Sequence, residues 1–378
     1  MSNLNILYSA IKNEVAIDKY IIDKYNKINK QEISYVPVRS VKTLPIIKSL
    51  KIGNKLYFLI SICFLLTSPF FFLLQTVKNI INMKKHRSGV VINKKVFLSG
   101  TNKTHLLRKP NEKDIQCLII APSIDKQNQN IASTFKAKHF LLAYLYSIIG
   151  IIYLSIKIKD KRNILQAYIA FDFFLVMLAL KDIKQGIETV YFCNHFDRWA
   201  VLIDNIYFNK NLILIQHGVL PESISLPYKL ENINEVFVFN KSSEKRFTKF
   251  LLTNTAKTKF TTVDISLHLQ TVKHDKKTIL VIGQPLTIER ELEIINRIGN
   301  DYTVYVKPHP GFSPTPYYNI KNTILIEERS YYPKVDLVLN YESTLGIEYE
   351  ASNIDVIWWK GMEIEELVLS IKKTLKKA

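Results

Sequence analysis

The chain has 378 residues, 47% of them hydrophobic, with only 11 glycines and 13 prolines, which suits two ordinary folded domains and excludes a disordered or fibrous chain. With 52 Lys and Arg against 33 Asp and Glu the formal charge is +19, which favours anionic partners: phosphorylated substrates, anionic lipid or nucleic acid. Nucleic acid loses most of its support, because the sequence has no zinc-finger spacing, no aromatic RNP-like strand and no dense basic helix. The three cysteines, Cys63, Cys117 and Cys193, are too far apart for a disulfide framework or a zinc cage and fit a reducing compartment.

The opening MSNLNILYSAIKNEVAIDKY lacks the apolar core of a signal peptide, so secretion is not expected. Next, Leu56 to Val77 (LYFLISICFLLTSPFFFLLQTV) carries no charge over 22 residues. A helix needs about 20 apolar residues to cross a bilayer core, so this run is long enough. Lys51 and Lys55 precede it and Lys78, Lys84, Lys85 and Arg87 follow it, so the positive-inside rule gives no orientation and a helix lying on anionic lipid fits as well. A span would put residues 1–55 and the rest of the chain on opposite sides. Pro69 is expected to kink the helix; the plainer alternative is a buried core helix. His139 to Ile156, with Gly150 inside it, and Ile164 to Leu180, with Asp172 inside it, read as buried helices of a domain.

From Lys95 onward short apolar runs alternate with helical ones. VFLSG, CLIIAPS, VYFCNH, LILIQHG and VFVFN come first, then a helix opened by a capping box at Ser242. KHDKKT, Lys273 to Thr278, reads as a linker. TILVIG, TVYVKP, TILIEE, VDLVLN and DVIWWK follow, with a helix over Glu289 to Ile298, another in STLGIEYEAS and a closing amphipathic helix, acids early and lysines late. Continuous apolar runs separated by helices predict parallel strands buried on both faces. The expected organisation is an N-terminal helical, membrane-associating region (1–94), an α/β domain that takes the acceptor (95–272) and a second α/β domain for the donor (273–378). Ligands of such sheets bind at the carboxyl ends of strands, and a cleft between two facing domains is the default site.

The chemistry-bearing segments fall at those ends. In VYVKPHPGF, two prolines hold the backbone on either side of His309, so the imidazole is aimed in advance; Lys307 adds a cation. Ser343 and Thr344 open a helix whose free N–H groups favour phosphate. Glu289 and Glu291 follow Gln284-Pro285, and an acid there could act as a general base or simply sit in a helix's first turn. In the first α/β domain, NHFDRW and QHG offer His195, Asp197, Arg198 and His217, with a local salt bridge as the plainer reading of the former. There is no P-loop, GxGxxG, GxSxG, HExxH or DxD, which removes most support from kinase, dehydrogenase, serine hydrolase and zinc protease readings and weakens metal-dependent sugar transfer.

Gln-Pro-Leu after a strand, then KPHP, then a Ser-Thr pair, spread over Ile279 to Glu348, resembles bacterial sialyltransferases and polysialyltransferases of the GT-B type, which act on capsule or lipooligosaccharide. The resemblance implies two Rossmann-type domains facing across a cleft, a CMP-activated sugar donor and no metal or other cofactor. It makes His309-Pro310 and Ser343-Thr344 the CMP-binding motifs; beside them, the charge of Lys307 suits the phosphate, and the place of Glu348 one helical turn after the Ser-Thr pair suits the nucleotide ribose. Glu289 takes the place of the second acid of the family's acidic motif, with Ile288 and Arg290 replacing its first acid and its glycine. His217 and Asp197 are the alternative bases, and His195 and Arg198 the acceptor binders. The expected activity is inverting transfer of a nonulosonic acid, sialic-acid-like or Kdo-like, to a polysaccharide or lipooligosaccharide acceptor, lipid-linked or free, at the cytoplasmic face of the inner membrane, with the membrane surface as a partner and nucleic acid as none. QHG with KPHP is also similar to teichoic-acid glycerophosphotransferases that use CDP-glycerol, although the Trp-His-Gly-Thr-Pro context is missing. A non-catalytic polysaccharide-binding membrane protein is the reading from another class.

Overall fold

In the computed structural model all residues are described except 31, 36, 38–53, 84–90, 101–113, 121–129, 221–222, 311–312, 319, 321–322, 329 and 378. Lys51, Lys84, Lys85 and Arg87 therefore lie outside the described residues. The chain divides into two units, the first Met1–Asp23, Ile33–Arg39 and Ile47–Val263, the second Lys24–Glu32, Ser40–Ile46 and Asp264–Ala378.

The first unit contains most of α1 (Asn3–Asn29), then α2 (Asn54–Met83), β1 (Lys95–Ser99), β2 (Gln116–Ile119), α3 (Ala137–Lys157), a 3-10 segment (Lys161–Ile169), α4 (Ala170–Ile183), β3 (Thr189–Phe192), α5 (Arg198–Ile206), β4 (Asn211–Ile215), β5 (Glu235–Val238), α6 (Lys241–Arg246) and β6 (Lys259–Thr262). The six strands form one sheet in the order β2-β1-β3-β4-β5-β6, every pair parallel. Parallel neighbours need crossovers, and these bring helices onto the sheet. α6 begins one residue before Ser242, because the Asn240 side chain caps it by accepting from Ser243 N–H at 2.9 Å.

α4 is buried almost all round, from Phe171 to Leu180, as its sequence suggested. α3 differs from expectation. One side is buried at Phe140, Ala143, Ser147, Ile151 and Leu154, while Leu141, Leu145, Ile149, Ile152 and Ile156 form an exposed apolar stripe. Gly150 is small because a Cβ there would lie 3.1 Å from Leu7 of α1 and 3.1 Å from Phe174 of α4. α2 continues through Pro69. Proline removes the donor that would bond the carbonyl of Leu65, and the Ser68 hydroxyl takes that carbonyl instead at 2.8 Å.

The second unit contains β7 (Gln270–Thr271), β8 (Thr278–Ile282), α7 (Ile288–Ile298), β9 (Thr303–Lys307), β10 (Thr323–Leu325), β11 (Pro333–Lys334), β12 (Leu337–Asn340), α8 (Thr344–Ala351), β13 (Val356–Trp358) and α9 (Ile364–Lys377). Its main sheet runs β10-β9-β8-β12-β13, all parallel, and β7 pairs with β11. The chain builds outward from β8 through β9 to β10, then returns to the other side of β8 with β12 and β13. The order therefore reverses between β8 and β12, the switch point of a doubly wound sheet, where a crevice opens at the carboxyl ends of the strands.

Candidate functional site

Register places the three motif loops side by side. Ile282, the last residue of β8, pairs with Lys307 of β9 on one side and with Asn340 of β12 on the other. The segments that follow these three residues are Gly283-Gln-Pro-Leu, Pro308-His-Pro and Tyr341-Glu-Ser-Thr. The first two touch: a Cβ at Gly283 would lie 3.1 Å from the Cα of Pro308. His309 and Pro310 are exposed beyond this edge, and Ser343 and Thr344 are half-buried.

Asn340, buried at the end of β12, sets the geometry of the turn that leads into α8. Its side chain accepts from Ser343 N–H at 3.0 Å and donates to the Ser343 carbonyl at 3.0 Å. Ser343 then caps α8, its hydroxyl accepting from Leu345 N–H at 3.3 Å. Gly346 is required by the same packing, since a Cβ there would fall 2.0 Å from the Asn340 side-chain nitrogen. Beside this turn Glu342 joins Lys24 of α1 and Lys360, the latter at 3.1 Å, so two ammonium groups stand next to the start of α8. Lys24 also lies over the Tyr341 ring at 5.8 Å, and Tyr341 packs edge-on against Trp359 at 4.7 Å.

The two acids after Gln284 separate sharply. Glu289 is exposed in the first turn of α7. Glu291 is fully buried and accepts three hydrogen bonds: from Gln284 N–H at 2.8 Å, Thr287 hydroxyl at 2.5 Å and Tyr317 hydroxyl at 2.5 Å. It thereby ties the loop after β8 to the segment that follows KPHP. Burial pushes its pKa up to about 7, against the pull of the Thr287, Tyr317 and Gln284 donors. Arg290 donates to the Met362 carbonyl at 2.7 Å and lies over Trp359 at 5.5 Å, which anchors α7 to the loop before α9.

Lys307 turns its ammonium to the carbonyls of Glu328 and Tyr331, both at 2.8 Å, and over the Tyr332 ring at 4.8 Å. Burial lowers its pKa, with Glu328 opposing. These bonds make Lys307 a support for Glu328, Tyr331 and Tyr332. Glu348 is half-buried on α8, and its charge adds to burial in raising the pKa of Tyr332.

In the first unit the sheet order reverses between β1 and β3, and there Asn194 accepts from Gly100 N–H at 3.3 Å while Trp199 stands 3.1 Å from a Cβ built on Gly100. Asp197 caps α5, accepting from Trp199 and Ala200 N–H, each at 3.0 Å, and from the Asn194 side chain at 2.6 Å. Arg198 pairs with Glu14 at 3.1 Å. The salt bridge of NHFDRW is therefore not local, since it reaches 184 positions back to α1, and Trp199 is only half-buried; the local bonds are those of the Asp197 cap. His195 is buried, its ring 4.3 Å from that of His217 and edge-on to Phe247 at 5.4 Å, and its Nε2 accepts from His217 N–H at 3.4 Å. It supports the turn that presents half-buried His217, whose neighbour Gly218 faces open space.

Sequence reasoning missed Asn340, Gly346, Lys24 and Lys360. Asn-x-x-Ser-x-x-Gly at a strand end was a readable turn signal. Lys24, more than 300 positions from Glu342, left none.

The parallel sheets and their helices form a GT-B-like α/β fold. Solved structures similar to the chain include UDP-GlcNAc 2-epimerase from Neisseria meningitidis (12% identity, 74% of this chain and 91% of that one, TM-score 0.41). Two others are UDP-N-acetylglucosamine 2-epimerase from Rickettsia bellii (9% identity, 76% and 88%, TM-score 0.43) and a glycosyltransferase from Rickettsia africae (11% identity, 75% and 89%, TM-score 0.40). No family model matches the sequence, and no curated protein does.

Proposed function

We propose that the chain is an inverting, metal-independent glycosyltransferase that moves a nonulosonic acid from a CMP donor to a surface polysaccharide or lipooligosaccharide acceptor at the cytoplasmic membrane face. The observation that supports this reading is the alignment of three motif loops at the carboxyl ends of three adjacent parallel strands, astride a switch point. In the proposed reaction the acceptor oxygen attacks the anomeric carbon as its proton passes to Glu289, or to His217. The bond from the anomeric carbon to the phosphate oxygen breaks, and CMP departs carrying the electron pair. His309, Ser343 and Thr344 donate to the charge that gathers on the phosphate, fixed dipoles of the kind that stabilise a transition state without reorganising. Asp197 is already engaged as the cap of α5, its carboxylate accepting from three N–H donors.

A screen of CMP-sugars by mass spectrometry tests the reading, with CDP-glycerol as the arm for the glycerophosphotransferase alternative that His217 beside the open Gly218 keeps in play. Turnover of one CMP-sugar, reduced about 10²–10³-fold by His309→Ala, is expected, the usual loss for one transition-state donor. Turnover of CDP-glycerol alone selects the alternative. Background rates on every donor, equal in wild type and variant, remove the enzymatic reading.

A further inference from the structure

We infer that α2 and α3 together form a lipid-binding face that lies in the plane of an anionic bilayer, with neither helix crossing it. Both helices are long and apolar enough to span, as is the Lys161–Gly186 stretch, most of which is inside the first unit. The packing decides between the two modes. If α2 crossed the membrane, the residues before it and after it would be separated by the bilayer. Instead Ile6, Leu7, Ala10 and Ile11 of α1 are buried in the same core as Val96 and Leu98 of β1 and Phe174 of α4. Described residues before α2 and after it thus share one core, and Phe72 of α2 itself belongs to that core.

The two helices are also one-sided. On α2, Ser61, Ser68 and Phe72 face the protein, and the Ser61 hydroxyl donates to the carbonyl of Arg162 at 3.3 Å. The opposite side shows Leu59, Ile62, Leu66, Phe70, Leu74 and Val77, with Leu66 and Phe70 74% and 75% exposed. Among the described residues 24 large hydrophobic side chains are exposed; 12 lie on α2 and six on α3, so this surface is concentrated on two neighbouring helices. A soluble surface rarely keeps an apolar patch of that extent.

Charge selects the occupant. Neither helix contains an acidic residue, and Lys55, Lys78, Lys138 and Lys157 are exposed at their ends. Apolar centres with basic ends match acyl chains below an anionic headgroup layer. A second copy of the chain would bring its own lysines against these. The inference does not depend on the donor, and turnover with a soluble acceptor reports on that separately.

The test is flotation of the full chain with vesicles of phosphatidylcholine alone or mixed with phosphatidylglycerol. The wild type is expected to float, preferentially with the anionic vesicles. The triple variants L66E/F70E/L74E on α2 and L145E/I149E/I152E on α3, all at exposed positions, should each lower the bound fraction at least tenfold. Lys78→Glu with Lys157→Glu should abolish the preference for anionic lipid, and its unchanged apolar face guards against a folding artefact. Epitope tags at the two ends of the chain should be cleaved together by protease in inside-out membrane vesicles. A protected N-terminal tag overturns the in-plane arrangement. An α3 triple that floats like wild type removes α3 from the face. A wild type that ignores vesicles, or that forms dimers which the triples split, overturns the lipid assignment.

Discussion

Glu291 is the residue whose chemistry runs most strongly against its surroundings. A carboxylate with three donors and no cation, fully buried, is held partly protonated near neutrality because desolvation outweighs those donors. Its folded pKa stands above its unfolded value, so the folded state binds the extra proton between them. The stability this contributes is complete below about pH 4.5 and is lost as pH rises through about 7. At 1.36 kcal/mol per pKa unit the span is at most about 3 kcal/mol. Glu291→Gln removes the titration while keeping the shape. Melting temperatures of the two proteins from pH 5 to pH 8 should therefore move in the variant's favour as pH rises; a constant difference would refute the assignment. The sequence showed two acids after Gln284 and could not rank them by burial, because both fit a helix's first turn. Only the helix phase and Tyr317, 26 positions on, separate the buried clamp from the exposed candidate base.

At the scale of an element, the β12–α8 connection is the most tightly specified. Asn340 fixes the turn from inside, Ser343 caps the helix and Gly346 leaves room for the Asn340 amide. Gly346→Ala puts a methyl where the amide stands and should cost about 1–3 kcal/mol, the range for overpacking a filled site. In an Asn340→Ala background the two closest clashing atoms are gone and only the Cβ, 3.0 Å away, remains, so the added cost of Gly346→Ala should fall; a denaturant-melt double-mutant cycle that finds strict additivity would deny the contact. The strands themselves were legible, since runs such as TILVI and LVLN become buried parallel strands, as continuous apolar segments should. α3 was misread because an exposed apolar stripe and a buried one have the same composition; only its neighbours distinguish them.

For the whole molecule, the sheet order gives the motifs their meaning. Periodicity predicted parallel sheets, but not that β8 and β12 would be adjacent with the order reversing between them, which depends on pairing across more than 50 residues. That adjacency brings the His-Pro and Ser-Thr segments to one edge beside Lys24 and Lys360. The motifs read from the sequence were the polar ends of strands; the supporting residues were scattered, and NHFDRW was legible only as a pattern, because its Arg198 pairs with Glu14, 184 positions earlier. The central claim is that this edge holds a nucleotide monophosphate. Calorimetric titration of CMP into the full chain tests it most directly, with His309→Ala as the comparison because the side chain is exposed and its loss leaves the core intact. Saturable binding by wild type, weakened at least tenfold in the variant (about 1.4 kcal/mol, the size of a charge-assisted hydrogen bond), is the predicted result. Identical binding by both proteins, or none by either, would contradict it.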